Sequence, residues 1–527
     1  MGAEESDARD CSAPAAAVEW EDRQHPAPLA EHLHLRGPTS SGQVSSGKGS
    51  SGQASPDPAG GSKQPRLESP TSVPTSGNPK SGRPTSGSTA SVGGTSGDEL
   101  PRKGHLWFGR VDCESVQPDT SRPLVQVAPM LHLMDRHFRM FLRQLSTRAQ
   151  LWSEMVVDST ILHAEDLEQH LGFDAREHPI VCQLGGNDPA SLAAAAQVVR
   201  RWNYDAVNLN VGCPSHRVVA KGCFGAVLMK TPHLVSNIAQ AMIRGLQAEG
   251  AEAEKAPVRP CPVSIKTRIG LDGSIGGEWL ERNIALFGAS GCRDFVIHAR
   301  EAKCGLSPAK NRSIPPLNFD EVFELERKFG SPEGYCGYGA DAIGANSVGE
   351  HPLGGAEGAA FRPYRFSING GVQTLDEVWA LLHVPSYHDS SRSALDGVMM
   401  GRACADNPVV LADVDRRIYG DRNPETAYSR RSVVEGYIQY LDTGTRMGRA
   451  PEEEVTLEHS FRYLRPISGL FHSTRASKCC RQLIDKIARS DLEKPQIKLA
   501  RFLNELDNKF PELLVAPLVP EEARADQ

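Results

Sequence analysis

Asn208-Leu209-Asn210-Val211-Gly212-Cys213-Pro214-Ser215 ends a run of β-favouring residues in a tight Gly-Cys-Pro corner that holds one thiol at a strand end. Val181-Cys182-Gln183-Leu184-Gly185-Gly186 repeats the design, with an apolar strand, a polar residue near its tip and glycines to turn. Working outward, similar runs predict strands at 125–130, 151–156, 181–185, 207–212, 263–268, 295–300, 366–371 and 397–402. Amphipathic helical segments are expected between most of them, at 135–145, 188–202, 234–246, 279–287, 319–328 and 375–382. Asp135 and Asp188 are the natural caps of the first two, and Pro189 suits a first helical position. Eight short strands alternating with helices predict an α/β protein, a (β/α)8 TIM barrel over 123–420 whose site is built from strand ends. An open doubly wound sheet is the alternative, but the Gly-rich dinucleotide fingerprint after its first strand is missing.

The rest of the chain reads differently. Residues 1–103 are dominated by Ser, Gly, Pro, Thr and Ala and hold too few apolar side chains to offset the entropy of ordering. They are expected to form a disordered low-complexity extension. Two insertions, 248–258 and 330–362, interrupt the barrel pattern and read as variable loops. A helix is expected from Asn407-Pro408 to Ile418, and residues 424–510 read as a smaller all-helical C-terminal domain with helices at 432–441, 457–471, 476–487 and 498–506. Its middle is basic, with Arg462, Arg465, Arg475, Lys478, Arg481, Lys486 and Arg489.

Composition excludes several classes. No stretch approaches the roughly 18 consecutive apolar residues of a membrane span. The twelve cysteines are scattered without a CxxC pair, which argues against zinc knuckles and disulfide frameworks, and no histidine pair has metal-ligand spacing backed by other ligands. Gly42 to Lys48 imitates a phosphate loop but lacks the following Ser or Thr and lies in low complexity. The acidic start, with Glu4, Glu5, Asp7 and Asp10, is unlike a transit peptide, so a cytoplasmic protein is expected, with an organellar address in the extension left open. Net charge is −7, so nucleic-acid binding requires a local basic face.

At the predicted strand ends stand Pro129 and Met130, Glu154, Gln183, Asn210 and Cys213, Lys266, His298, Asn369-Gly370-Gly371 and Gly401-Arg402. The glycines after strands seven and eight let backbone N–H groups approach an anion, and Arg402 adds a charge-assisted bond. Lys266, with no carboxylate in its own segment, asks for an anionic partner. Gln183 suits an amide-like heterocycle. Together these describe a pocket for a phosphorylated planar ligand; FMN fits, as do other phosphate esters.

From Gln126 to about Leu506 the chain resembles the tRNA-dihydrouridine synthases, closest to the bacterial-type A subfamily. The resemblance rests on Val127-Ala128-Pro129-Met130 with Asp135-Arg136, Glu154-Met155-Val156, Gln183 to Gly186, Leu209 to Ser215, Val263 to Gly270 and Ile297 to Arg300. It continues through Gly305-Leu306-Ser307-Pro308, Asn311-Arg312, Ile314-Pro315-Pro316-Leu317, Ile368 to Gly371 and Met400-Gly401-Arg402. The family implies bound FMN, NADPH as reductant, and reduction of the C5=C6 bond of D-loop uridines of tRNA, U20/U20a. It implies hydride from flavin N5 to C6 and a proton from Cys213 to C5, with Cys213 a neutral thiol. FMN contacts fall on Pro129, Met130, Gln183, Lys266, His298, Asn369, Gly370, Gly371, Gly401 and Arg402, and tRNA contacts on Asn210, Arg312, Lys478 and Arg481. The uridine must be flipped into the pocket, at a cost of a few kcal/mol. The chain departs from the family at Ala309, where a lysine is expected, with Lys310 beside it, and the loop from His298 to Gly305 is one residue short. A monomer without metal is expected. Two other readings are an FMN barrel reducing a free pyrimidine or enone, and a tRNA-binding protein that has lost catalysis; the basic helices argue against the first, and Cys213, Lys266 and His298 against the second.

Overall fold

The computed structural model describes residues 124–216, 218–219, 223–247, 261–330, 364–421, 424–443, 457–490 and 493–519. The expected extension, the insertion at 248–258 and all but Gly330 of the insertion at 330–362 lie outside the described residues.

The eight expected strands are present: β1 (Leu124–Val127), β2 (Leu151–Val157), β3 (Ile180–Gly185), β4 (Ala206–Asn210), β5 (Val263–Leu271), β6 (Asp294–Ala302), β7 (Arg365–Asn369) and β8 (Gly397–Met400). Each pairs in parallel with its neighbour in sequence from β2 to β8, and β8 pairs with β1. The ring closes between β1 and β2 through Gln150, whose N–H donates to Val125 O at 2.8 Å and whose carbonyl accepts from Val127 N at 2.9 Å. This is the (β/α)8 barrel, with a short antiparallel flap, Ser274–Ile275, on the end of β5.

Alternation along each strand sends one set of side chains outward under the helices and the other into the lumen. Ala128, Trp152, Val181, Val296 and Met399 meet inside as an apolar floor, each at most 6% exposed. Outside, Pro189–Arg201 lays Leu192, Ala195, Ala196 and Val199 on the sheet. Its cap is Asp188, which accepts from Ser191 N at 2.7 Å, and Asp135 caps Arg136–Arg143 by accepting from Phe138 N at 2.9 Å.

The helix expected from Asn407-Pro408 to Ile418 is instead broken into a 3-10 turn, Pro408–Leu411, and a short helix, Val414–Arg417. The break serves Asp415. Its fully buried carboxylate accepts from Ser146 Oγ, from Thr147 N at 2.7 Å and from Thr147 Oγ1 at 2.8 Å, all in the loop before β2.

The C-terminal helices are Arg430–Thr443, Leu457–Leu470, Ser477–Ala488, Pro495–Asp507 and Pro511–Val515. They dock on the barrel through Arg136–Arg143. Phe141 meets Tyr437 edge-on at 5.5 Å, and the Tyr440 hydroxyl bonds His137 Nδ1 at 3.1 Å. Gly469 lies against the turn after β8, where an added Cβ would stand 2.6 Å from Pro408 Cδ and 2.8 Å from the Ala405 carbonyl oxygen. Arg462 Nε donates to Asp135 Oδ2 at 2.8 Å, tying the helices to the loop after β1.

Candidate active site

Above the apolar floor the inward positions turn polar, because register aligns them. Gln183 pairs with Asn208, Asn210 with Lys266, Arg268 with His298, and His298 with Asn369. One layer of lumen-facing groups thus runs from β3 to β7.

Its first half is a relay of neutral amides. Asn208 Nδ2 donates to Ser264 Oγ at 2.9 Å, Gln183 Nε2 to Asn208 Oδ1 at 2.8 Å, and Asn210 Nδ2 to Gln183 Oε1 at 2.8 Å. The relay ends where Asn210 Oδ1 accepts from Gly212 N at 3.1 Å and from Cys213 N at 2.9 Å. Asn210, expected from the sequence as a tRNA contact, is 8% exposed and spends both ends of its amide on Gln183 and the Cys213 turn. What it does here is seat the thiol. The far side of that turn is fixed by Gly225, at φ +72, where a Cβ would come within 2.6 Å of the Cys213 carbonyl oxygen. Ala226 N donates to that same oxygen at 2.9 Å.

The second half is cationic. Lys266 Nζ donates to Asn369 Oδ1 at 3.0 Å, and Asn369 Nδ2 donates to the Met399 carbonyl at 2.8 Å. Burial first, then the neighbouring Arg268, lowers the Lys266 ammonium to about 7. The same two influences, with Lys266 added, hold His298 well below its ordinary range, so the imidazole is neutral. Burial raises the Cys213 thiol, and the attraction of Arg268 and Lys266 opposes it only in part. Cys213 is therefore a protonated thiol at neutral pH, an acid and not a nucleophile.

The remaining expected residues sit at the rim. Pro129 and Met130 are half-buried at the end of β1, and the Met130 carbonyl accepts from Leu133 N and Met134 N. Gly370 and Gly371 have φ of +116 and +74; side chains there would strike His298 and Leu317. A Cβ added at Gly401 would rest in ordinary contact with Ala128 Cβ at 3.7 Å, and Arg402 is exposed beside it. Arg312 is exposed in the 3-10 turn Lys310–Arg312 after β6, and Lys310 is exposed in the same turn.

Lys478 and Arg481 are exposed, three residues apart on Ser477–Ala488, and make no ion pair with the described residues. The other members of that basic run have partners: Arg462 has Asp135, Arg465 the His132 carbonyl, Arg475 Glu512, Lys486 Glu505 and Arg489 Asp485. No cluster of three or more His, Cys, Asp or Glu able to hold a metal occurs among the described residues. Sequence reasoning missed Asn208 and Arg268. The signal was there, since each stands two residues from a chosen one on the same strand face.

Residues 126–332 match the family described as Dihydrouridine synthase (Dus). The chain is 35% identical over 366 residues to the tRNA-dihydrouridine(20/20a) synthase of Shewanella oneidensis, covering 69% of this chain and 89% of that protein. The enzyme of the same name from Synechocystis is 35% identical over 331 residues, covering 63% and 81%. That of Escherichia coli K12 is 37% identical over 325 residues, covering 61% and 76%. Among solved structures, the old yellow enzyme homologue of Zymomonas mobilis aligns with 60% of this chain and 94% of its own at 11% identity and a TM-score of 0.34, a distant likeness that adds nothing to the strand order read from the sheet.

Proposed function

The chain belongs to the dihydrouridine synthase family, and on that premise we propose that it reduces the C5=C6 bond of D-loop uridines of tRNA, U20/U20a, using FMN and NADPH. The observation that carries the reading is the polar layer itself: a neutral thiol seated by an amide relay, beside the neighbouring strand's lysine that no described carboxylate neutralises. That donor set fits FMN. Lys266 and His298 would face its polar heteroaromatic ring, Gln183 and Asn369 would bring amides beside it, and the glycine turns at Gly370, Gly371 and Gly401, beside Arg402, would bring backbone N–H groups to a phosphate. Pro129 and Met130 close the rim on the β1 side.

When bound, the flavin supplies the hydride for C6 of the uracil. The protein supplies the rest. Asn210 aims the Cys213 turn through two backbone N–H groups, and Cys213 holds the proton that C5 must receive. Lys266, cationic when an anion neighbours it, offsets negative charge gathering at the reacting rings. Arg312, Lys310, Lys478 and Arg481 stand exposed where phosphates of a docked RNA can reach them. The reading also takes the protein as a cytoplasmic monomer, which sedimentation and imaging of a tagged chain test.

The deciding experiment maps dihydrouridine on tRNA incubated with the pure yellow protein and NADPH. Cys213→Ala should bind flavin normally and lose about 10²- to 10⁴-fold in product formation. Equal product from parent and variant removes Cys213 from this role.

A further inference from the structure

Two residues beyond Lys266 on the same face of β5, Arg268 is 5% exposed. A buried cation is normally matched to a carboxylate, because stripping its water costs several kcal/mol. Every described acceptor of Arg268 is instead a backbone carbonyl, and each belongs to a different segment. Nε donates to Gly212 O at 3.0 Å, while Nη1 donates to Glu301 O at 3.1 Å and to Asn311 O at 3.3 Å. The carboxylate of Glu301 is engaged elsewhere, by Lys303 Nζ at 2.8 Å and by the Gly273 N–H.

The choice of carbonyls is informative. Gly212 immediately precedes Cys213, and Asn311 immediately precedes Arg312. Asn311 is fully buried and organises its whole loop: its side chain accepts from Lys303 N at 2.8 Å and donates to the carbonyls of Lys303 at 2.8 Å and Leu306 at 2.9 Å. The planar, rigid fork of a guanidinium can span such a gap with fixed geometry; a lysine ammonium cannot.

We propose that Arg268 is a positioning residue that locks the loop carrying Arg312 in register with the Cys213 turn, so that RNA seated on the first sets the reach of the second. This rests on the dihydrouridine reading above. A role in packing alone predicts a uniform loss of folding and flavin; a registering role predicts a selective loss at proton delivery to RNA.

The test uses the flavin-loaded full chain. Arg268→Met should slow single-turnover reduction of tRNA by about 10²-fold, the lower end of what a misplaced acid costs, and by at least about tenfold more than it lowers flavin content or the rate of flavin reduction by NADPH. Asn311→Ala loosens the other end of the bridge and should also slow transfer. Arg268 grips the backbone of the loop that the Asn311 side chain organises, so the two losses should combine to less than their product in the double variant. Arg268→Lys, which keeps the charge but not the fork, should stay at least about tenfold below the parent. If Arg268→Met fails to fold, Arg268→Lys decides by that same margin. The proposal is overturned by parental transfer rates in either Arg268 variant, by multiplicative losses in the double variant, or by loss of flavin reduction in parallel with transfer. A parent that oxidises NADPH but leaves tRNA untouched sinks the functional reading and the bridge with it; an active parent with unaffected variants sinks the bridge alone.

Discussion

The β3–β4 side of the barrel mouth and the β5–β7 side are built from opposite materials. Gln183, Asn208 and Asn210 satisfy one another and end on the Cys213 turn, leaving a neutral surface whose energy lies in geometry. Lys266, Arg268 and His298 are crowded and dehydrated, and Lys266 and Arg268 donate to neutral oxygens, so their environment depresses all three. One side is finished without a ligand. The other is completed by negative charge.

The two sides should therefore fail differently. Apart from Cys213 itself, the largest effect is expected on the cationic side: Lys266→Met should slow uridine reduction by about 10²- to 10³-fold, as removal of one preorganised electrostatic group does elsewhere. Stopped-flow transfer to tRNA measures it, and a loss below tenfold would merge the two sides into one. On the amide side the cost should appear in folding. Asn208→Leu strands Gln183 Nε2 and Ser264 Oγ and should lower unfolding free energy by about 1–3 kcal/mol in urea titration, with flavin chemistry much less affected.

Acidity separates the sides further. Lys266 titrates near 7 in the unliganded protein, and a bound anion favours its charged form. Binding of riboflavin phosphate then takes up a proton above pH 7, so affinity should be flat below 7 and weaken by up to about tenfold, or 1.4 kcal/mol, per pH unit above it. Lys266→Met should abolish the slope, whereas Asn208→Leu should leave it intact; fluorescence titration reads both. The smallest effect concerns the distant helical cations. Lys478→Ala and Arg481→Ala should each reduce the salt dependence of tRNA binding by about one unit or less of log–log slope. Variants that leave the slope unaltered would remove Ser477–Ala488 from the RNA face.

Strand number, order and tips were legible because period-two runs ending in Gly or Cys-Pro leave little choice of architecture. Chemistry at single positions was legible where a residue is odd for its place, such as Lys266 in a strand or Cys213 in a corner. What escaped was pairing across strands. Asn208 reads as an ordinary polar residue, and Arg268 as one more charged residue near a strand end, until register brings Ser264, Gly212 and Asn311 beside them. Asn210 was noticed as an RNA contact, but a sequence does not reveal that its amide also joins Gln183 to the Cys213 turn. The continuous helix expected after Pro408 failed for a similar reason: four hydrogen bonds from a loop some 270 positions away outweigh local propensity once Asp415 is buried among them.

Gly469 lets a helix rest directly on the backbone that follows β8. On the function proposed above, the helices that carry Lys478 and Arg481 are thereby seated against the same backbone that leads out of the barrel mouth. RNA held on that face would then meet the thiol at a set distance along its fold, and a bulky residue in place of Gly469 should shift which nucleotide is reduced.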